Sequence, residues 1–131
     1  MKKGIVTGAF DLLHAGHIHL FKEAKKHCDY LIVALHVDPS VERDTKSKPI
    51  ESILERGIKL RACKYVNTII PYEKESDLPI IFKHFNVDIR FLGSDYKDPN
   101  KHISYPDMIP TKFIDSLLVH TSEIIERIQE S

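Results

Sequence analysis

The sequence predicts an α/β protein built on one doubly wound, parallel, five-stranded sheet with helices on both faces. Three observations carry that expectation. Short apolar runs of strand length alternate with segments of helical period along the chain. The runs at 5–7 and 30–35 are too uniformly apolar to leave one face wet. Glycine or proline stands at the ends of several of these runs.

Ile5, Val6 and Thr7, between Gly4 and Gly8, make the first buried strand. Ile18, Phe21, Ala24 and Lys25 then follow a near-3.6 period, with Lys22, Glu23 and Lys26 opposite, which predicts a helix from near Gly16. Residues 30–35 form the second strand, and Asp38-Pro39 opens a polar loop that runs to Pro49. Ile53, Ile58, Leu60 and Ala62 supply the apolar positions of a helix over 52–64. A strand at 66–70 is closed by Pro71, and Asp77 with Pro79 starts a helix over 80–85. A strand at 87–92 ends at Gly93, 112–114 is the last strand, and 121–129 is a terminal helix. Parallel strands of this kind are joined by right-handed crossovers and bind ligands beyond their carboxyl ends, where strand order reverses. The loops after the first, second and fourth strands are therefore where a site is expected.

The 131 residues suit a single domain, 1–131, large enough to bury roughly two-thirds of its unfolded surface. Lys plus Arg and Asp plus Glu both total 19, and a net charge of zero argues against a nucleic-acid-coating surface. It also lowers one barrier to self-association. Cys28 and Cys63 have no metal-ligand spacing and read as idle thiols of a reducing compartment. Asp11 and His14 cut the N-terminal apolar run short of a signal peptide, and no stretch reaches the ~18 apolar residues of a membrane span. The chain is expected to be cytoplasmic.

The chemistry is concentrated in Gly8-Ala9-Phe10-Asp11-Leu12-Leu13-His14-Ala15-Gly16-His17. Gly8 is expected to turn the chain tightly through positive φ after the first strand. The free N–H groups of the following helix start would form an anion site. His14 and His17, three apart, share a face at that mouth, and Gly16 would admit a phosphate against the backbone. Two imidazoles and helix amides suit the oxygens of a triphosphate. A pair of capping histidines, or a metal site, would give the same spacing; no matched third metal ligand lies nearby.

The segment resembles the (G-x-F-D-x-x-H-x-G-H) signature of the cytidylyltransferase-like superfamily, whose fold is Rossmann-like, and is most similar to its small glycerol-3-phosphate cytidylyltransferases. Residues 21–25 and 29–34 resemble that family's first helix and second strand. Glu55-Arg56 resembles its arginine-bearing helix, and Leu92-Gly93-Ser94-Asp95-Tyr96 its (M-G-D-D-W) loop. The resemblance implies transfer of CMP from CTP to a small phosphorylated alcohol, with Mg²⁺ and release of pyrophosphate, in a homodimer. His14, His17 and Lys46 would be catalytic. Gly8, Ala9, Phe10, Asp11, Ala15, Gly16, Lys48, Arg56, Gly93 and Asp95 would line the nucleotide and phosphate sites, and Asp11 and Asp95 would meet the metal. An adenylyltransferase, a sugar-phosphate cytidylyltransferase and a nucleotide-binding module without turnover are the other readings.

The resemblance weakens toward the C-terminus. The family's (R-T-x-G-I-S-T-T) motif corresponds to residues 115–122, where Asp115 and Leu118 replace its arginine and glycine. Thr121 and Ser122 keep hydroxyls for a phosphate, and His120 would restore part of the charge, though less well than a bidentate arginine. Leu78 stands near the place of the family's acceptor-binding lysine, and Lys74 is a displaced candidate.

Overall fold

In the computed structural model, which describes residues 1–116, strand β1 (Lys3–Gly8) leads into helix α1 (Ala15–Lys25). Strand β2 (Tyr30–His36), helix α2 (Ile53–Arg61), strand β3 (Thr68–Tyr72) and helix α3 (Leu78–His84) follow. Strand β4 (Ile89–Gly93) and strand β5 (Thr111–Ile114) complete the sheet, and short 3-10 turns lie at Pro39–Val41, Glu75–Asp77 and Ser94–Lys97. The strand order is β3-β2-β1-β4-β5 and every pairing is parallel. After two steps in one direction the chain returns to the other side of β1. The order therefore reverses between β1 and β4, and a crevice opens beyond their carboxyl ends.

Alternation along the strands divides the core into two layers. Val6, Leu31, Val33, Leu35 and Phe91 pack against Phe21 and Ala24 of α1 and Leu60 of α2. Ile5, Ile32 and Ala34 point the other way, onto Leu78, Ile81 and Phe82 of α3. Each fully buried Phe or Leu contributes about 1.5–3 kcal/mol of transfer free energy, so this two-sided burial drives the fold. Two aspartates fix the register at the amino edge of the sheet. Asp29 accepts from Lys2 N–H at 2.7 Å, and Asp88 accepts from Lys3 N–H at 2.8 Å.

The third strand lies two residues later than its apolar run implies and includes Pro71. It is an edge strand paired only with β2, where a missing N–H on the outer side is harmless. Helix α2 ends at Arg61, three residues early, and the expected helix over 121–129 lies outside the described residues. No helix among the described residues is long and apolar enough to cross a membrane.

Candidate active site

The crevice beyond β1 and β4 holds two adjoining cavities that share Gly8, Ala9, Leu92 and Tyr96 as a common wall. The first, about 440 Å³, is lined by His14, Gly16, His17, Gly93 and Asp95. The second, about 250 Å³, lies on the α3 side and is lined by His36, Arg43, Lys46, Glu75 and Arg90. One molecule bound in each would meet its neighbour at the Gly8–Ala9 backbone.

The turn between β1 and α1 uses more than its glycine. Gly8 takes the expected positive φ (159°), and Phe10 (φ 46°) and Leu12 (φ 49°) take the left-handed conformation that bulky residues avoid. Such strain persists only where surrounding contacts impose it. Here they come from α2 and the residues before it. Asp11 accepts from the N–H groups of Ile50 (2.8 Å) and Glu51 (3.0 Å), which holds its carboxyl below the usual carboxylate range. Leu12 N–H donates to Glu51 Oε1 at 2.7 Å, and Glu51 Oε2 lies 2.6 Å from Lys59 Nζ. The Phe10 ring turns inward and meets the rings of His17 and Phe21 edge-on.

His14 and His17 cap α1 reciprocally. Gly16 N–H donates to His14 Nδ1 at 3.0 Å, and His14 N–H donates to His17 Nδ1 at 3.1 Å. The N–H groups of His17 and Ile18 both turn back to the His14 carbonyl. The open amide cradle that the sequence predicts is thus largely closed, because the signature histidines take up the amides themselves. An imidazole nitrogen that accepts cannot carry the proton, so each ring keeps its proton on Nε2. The rings stack at 3.9 Å, and burial, with the neighbouring His14 ring, pushes the His17 imidazole down to about 4. At neutral pH His17 is an uncharged donor. Gly16 is required for this arrangement, since a Cβ there would lie 2.8 Å from His14 Cε1. It makes room for an imidazole and also lines the larger cavity.

The other expected residues divide. Gly8, Ala9 and Phe10 line the larger cavity with Gly93 and Asp95, while Ala15 lies at the exposed start of α1. Gly93 lets the Asp95 carboxylate fold back over the end of β4, as a Cβ would lie 2.6 Å from Asp95 Oδ1. Lys46 faces the smaller cavity; Lys48 and Lys74 line neither. Arg56, expected on a phosphate, is 2% exposed and lines neither cavity. Its guanidinium donates to the carbonyls of Ala9 (3.0 Å), His36 (2.8 Å), Val37 (2.7 Å) and Glu51 (3.2 Å). It clamps the carboxyl ends of β1 and β2 to the start of α2, and its donors face protein oxygens. His120, Thr121 and Ser122 lie outside the described residues.

Asp11 and Asp95, both expected at the metal, have different protein partners. The first is held by the Ile50 and Glu51 amides, and the second lies 3.8 Å from Lys101 Nζ. Among the described residues no group of three or more His, Cys, Asp or Glu is placed to hold a metal ion.

Sequence reasoning missed His36, Arg43, Glu75, Arg90 and His102, all on the smaller cavity. One signal was available: Arg90 stands inside an otherwise apolar strand. Burial there pushes the His36 imidazole down and the neighbouring Tyr72 phenol up, so both are uncharged at neutral pH.

Comparison with known proteins bears on the family and the fold. The family described as cytidylyltransferase-like matches residues 5–127. A probable ethanolamine-phosphate cytidylyltransferase of Encephalitozoon cuniculi is 33% identical over 134 residues, covering 97% of this chain and 41% of that protein. An FAD synthase of Thermococcus sibiricus is 40% identical over 91 residues, covering 70% of this chain and 62% of its own length. The chain thus spans less than two-thirds of each of these relatives. A lipopolysaccharide core biosynthesis protein from Thermoplasma volcanium has the same fold, with a TM-score of 0.70 and 26% identity over 92% of this chain and 99% of that one.

Proposed function

The chain belongs to the cytidylyltransferase-like family, and on that premise we propose that it transfers CMP from CTP to a small phosphorylated acceptor and releases pyrophosphate. One observation carries this reading: two imidazoles with their Nδ1 atoms held by backbone amides present Nε2–H donors beside a backbone wall shared by two cavities. The triphosphate would lie in the larger cavity against His14 and His17, and the acceptor in the smaller one beside Lys46.

An acceptor phosphate oxygen is already an anion, so the reaction needs no strong base. That oxygen forms a bond to the α-phosphorus, the bond from the α-phosphorus to the bridging oxygen breaks, and pyrophosphate leaves with the electron pair. The site must bring two anions together and stabilise the charge that builds on the phosphoryl oxygens. Fixed N–H donors do this without reorganising. Asp95 and Asp115 both line the larger cavity, and either would meet a magnesium ion arriving on the triphosphate, where the ion would share the phosphate charge.

The test is pyrophosphate release by the full chain with Mg²⁺, offering CTP and ATP separately against a panel of phosphorylated alcohols, amines and sugars. CTP-dependent release that requires an acceptor is expected. His17→Ala should lower turnover by about 10²–10³-fold, the scale for one preorganised donor. Release with ATP alone would reassign the base, and release with neither nucleotide would overturn the reading.

A further inference from the structure

The loop that carries Lys46 has little of its own to hold it down. None of residues 38–49 is buried. The N–H groups of Val41, Arg43 and Lys46 return to carbonyls within the loop, those of Asp38, Pro39 and Arg43. Among the described residues, the hydrogen bonds and ion pairs that leave this stretch for another segment all start from Glu42 and Arg43, and both of these reach Glu75.

The grip is made from two sides. Glu75 N–H donates to Glu42 Oε1 at 2.8 Å, and Glu75 Oε1 lies 2.5 Å from Arg43 Nη2. The same arginine nitrogen donates to Ser104 Oγ at 3.2 Å, and the Ser104 carbonyl accepts from the buried Arg90 of β4 at 2.5 Å. Glu75 Oε2 lies 3.7 Å from His102 Nε2. Glu75 thus ties the Lys46 loop, through the turn before α3, to the segment after β4, and all three line the smaller cavity.

A carboxylate on the wall of a cavity that would receive a phosphate repels its ligand, so its place there calls for another reason. Holding the loop supplies one. A segment without buried side chains opens at little free-energy cost unless something ties it. The Lys46 ammonium rides on a flexible stem, and it can screen two anions in line only where the backbone beneath it is fixed. An exposed ion pair would do little of this, but the side chains of Arg43 and Glu75 are only 20% and 22% exposed.

Resting on the nucleotidyl-transfer reading, we propose that Glu75 is a positioning residue: by tying Glu42 and Arg43 it holds Lys46 over the smaller cavity, and through Lys46 it sets turnover.

A double-mutant cycle tests this in the full chain with Mg²⁺, CTP and the acceptor that the pyrophosphate assay finds best. Glu75→Gln keeps the side-chain shape and the backbone bond to Glu42; it should lower kcat/KM for the acceptor about tenfold, and Glu75→Ala should lower it further. In a Lys46→Ala chain the same changes should cost less than about twofold, since the group they position is gone. Arg43→Gln should match Glu75→Gln and not add to it, and it keeps the test valid if a Glu75 variant does not fold. A loss that persists in full without Lys46, or wild-type kcat/KM in Glu75→Ala, overturns the proposal while nucleotidyl transfer stands. Limited trypsin digestion reads the tie without any turnover. Cleavage after Lys46 under native conditions should be at least about fivefold faster in both Glu75 variants, with cleavage elsewhere unchanged. If no acceptor is turned over, transfer itself fails and digestion decides: faster cleavage confined to the loop upholds the tie. Equal cleavage after Lys46, or faster cleavage at every site, overturns it.

Discussion

Arg56→Met separates two roles that the sequence alone cannot tell apart. The side chain is buried and donates four hydrogen bonds to main-chain carbonyls, at 2.7–3.2 Å. A hydrogen bond to a charged group contributes about 1.5–3 kcal/mol net, and an abandoned buried carbonyl costs a similar amount. The four are not additive, since one guanidinium makes them all and removing its charge also removes a desolvation penalty. A net loss of about 3–4 kcal/mol follows. Against a typical stability of about 5–15 kcal/mol that is a large fraction. At about 3–5 °C per kcal/mol for a chain of this size, the melting temperature should fall by about 10–20 °C. Circular dichroism melts of Arg56→Met and Arg56→Lys, beside a nucleotide-binding titration at a temperature where both variants remain folded, make the measurement. Lys keeps the charge but cannot span carbonyls from three segments, so it should lose most of the same stability. A variant that melts within 3 °C of wild type yet no longer binds nucleotide would refute the clamp and restore Arg56 as a phosphate ligand.

Acidification should destabilise the fold through His17. Its folded value of about 4 lies below the ordinary 6.5, so the unfolded chain binds the extra proton first. The stabilisation is complete above pH 6.5 and is lost as pH falls toward 4, by about 1–2 kcal/mol for a half-buried ring screened by water. His36, depressed by burial, adds in the same direction. Urea midpoints at pH 7, 5.5 and 4.5 should show the decline and His17→Asn should flatten it; stability that stays level or rises on acidification contradicts the assignment. Gly16→Ala should push the His14 ring off its amide, because the new Cβ would lie 2.8 Å from Cε1. Turnover should fall at least tenfold, while the better helix propensity of alanine, by about 1 kcal/mol, keeps the melting temperature within a few degrees. Wild-type turnover in that variant would show that the imidazole stack is not needed.

What the sequence revealed, and what it concealed, follows from the range of the interactions involved. The apolar runs at 5–7 and 30–35 predict buried strands because pairing and burial act on the same few residues. His14 and His17 could be placed at a helix mouth for the same reason, since their spacing is a property of one turn. Pro71 misled because tolerance of a proline depends on whether a strand lies at the edge, and edge position is set by the topology of the whole sheet. Arg56 misled because its partners, Ala9, His36 and Val37, come from two other segments of the chain. The left-handed Phe10 and Leu12 were hidden too, as contacts from residues 50–51 hold a turn that local propensity would not choose.

These long-range contacts bear on how the site works. The donors that would face a triphosphate are positioned locally, by a cap two to three residues long. The turn that carries them is positioned from α2, through Asp11, Leu12 and the Arg56 clamp on Ala9. Ala9 is also part of the wall between the two cavities. Moving α2 relative to the sheet would therefore move the donors and that wall together. In a reaction that depends on alignment of two anions, an error of about 1 Å costs about 10²-fold in rate. Arg56, which lines neither cavity, would on this argument govern turnover by holding α2 to the ends of β1 and β2 while both substrates are in place.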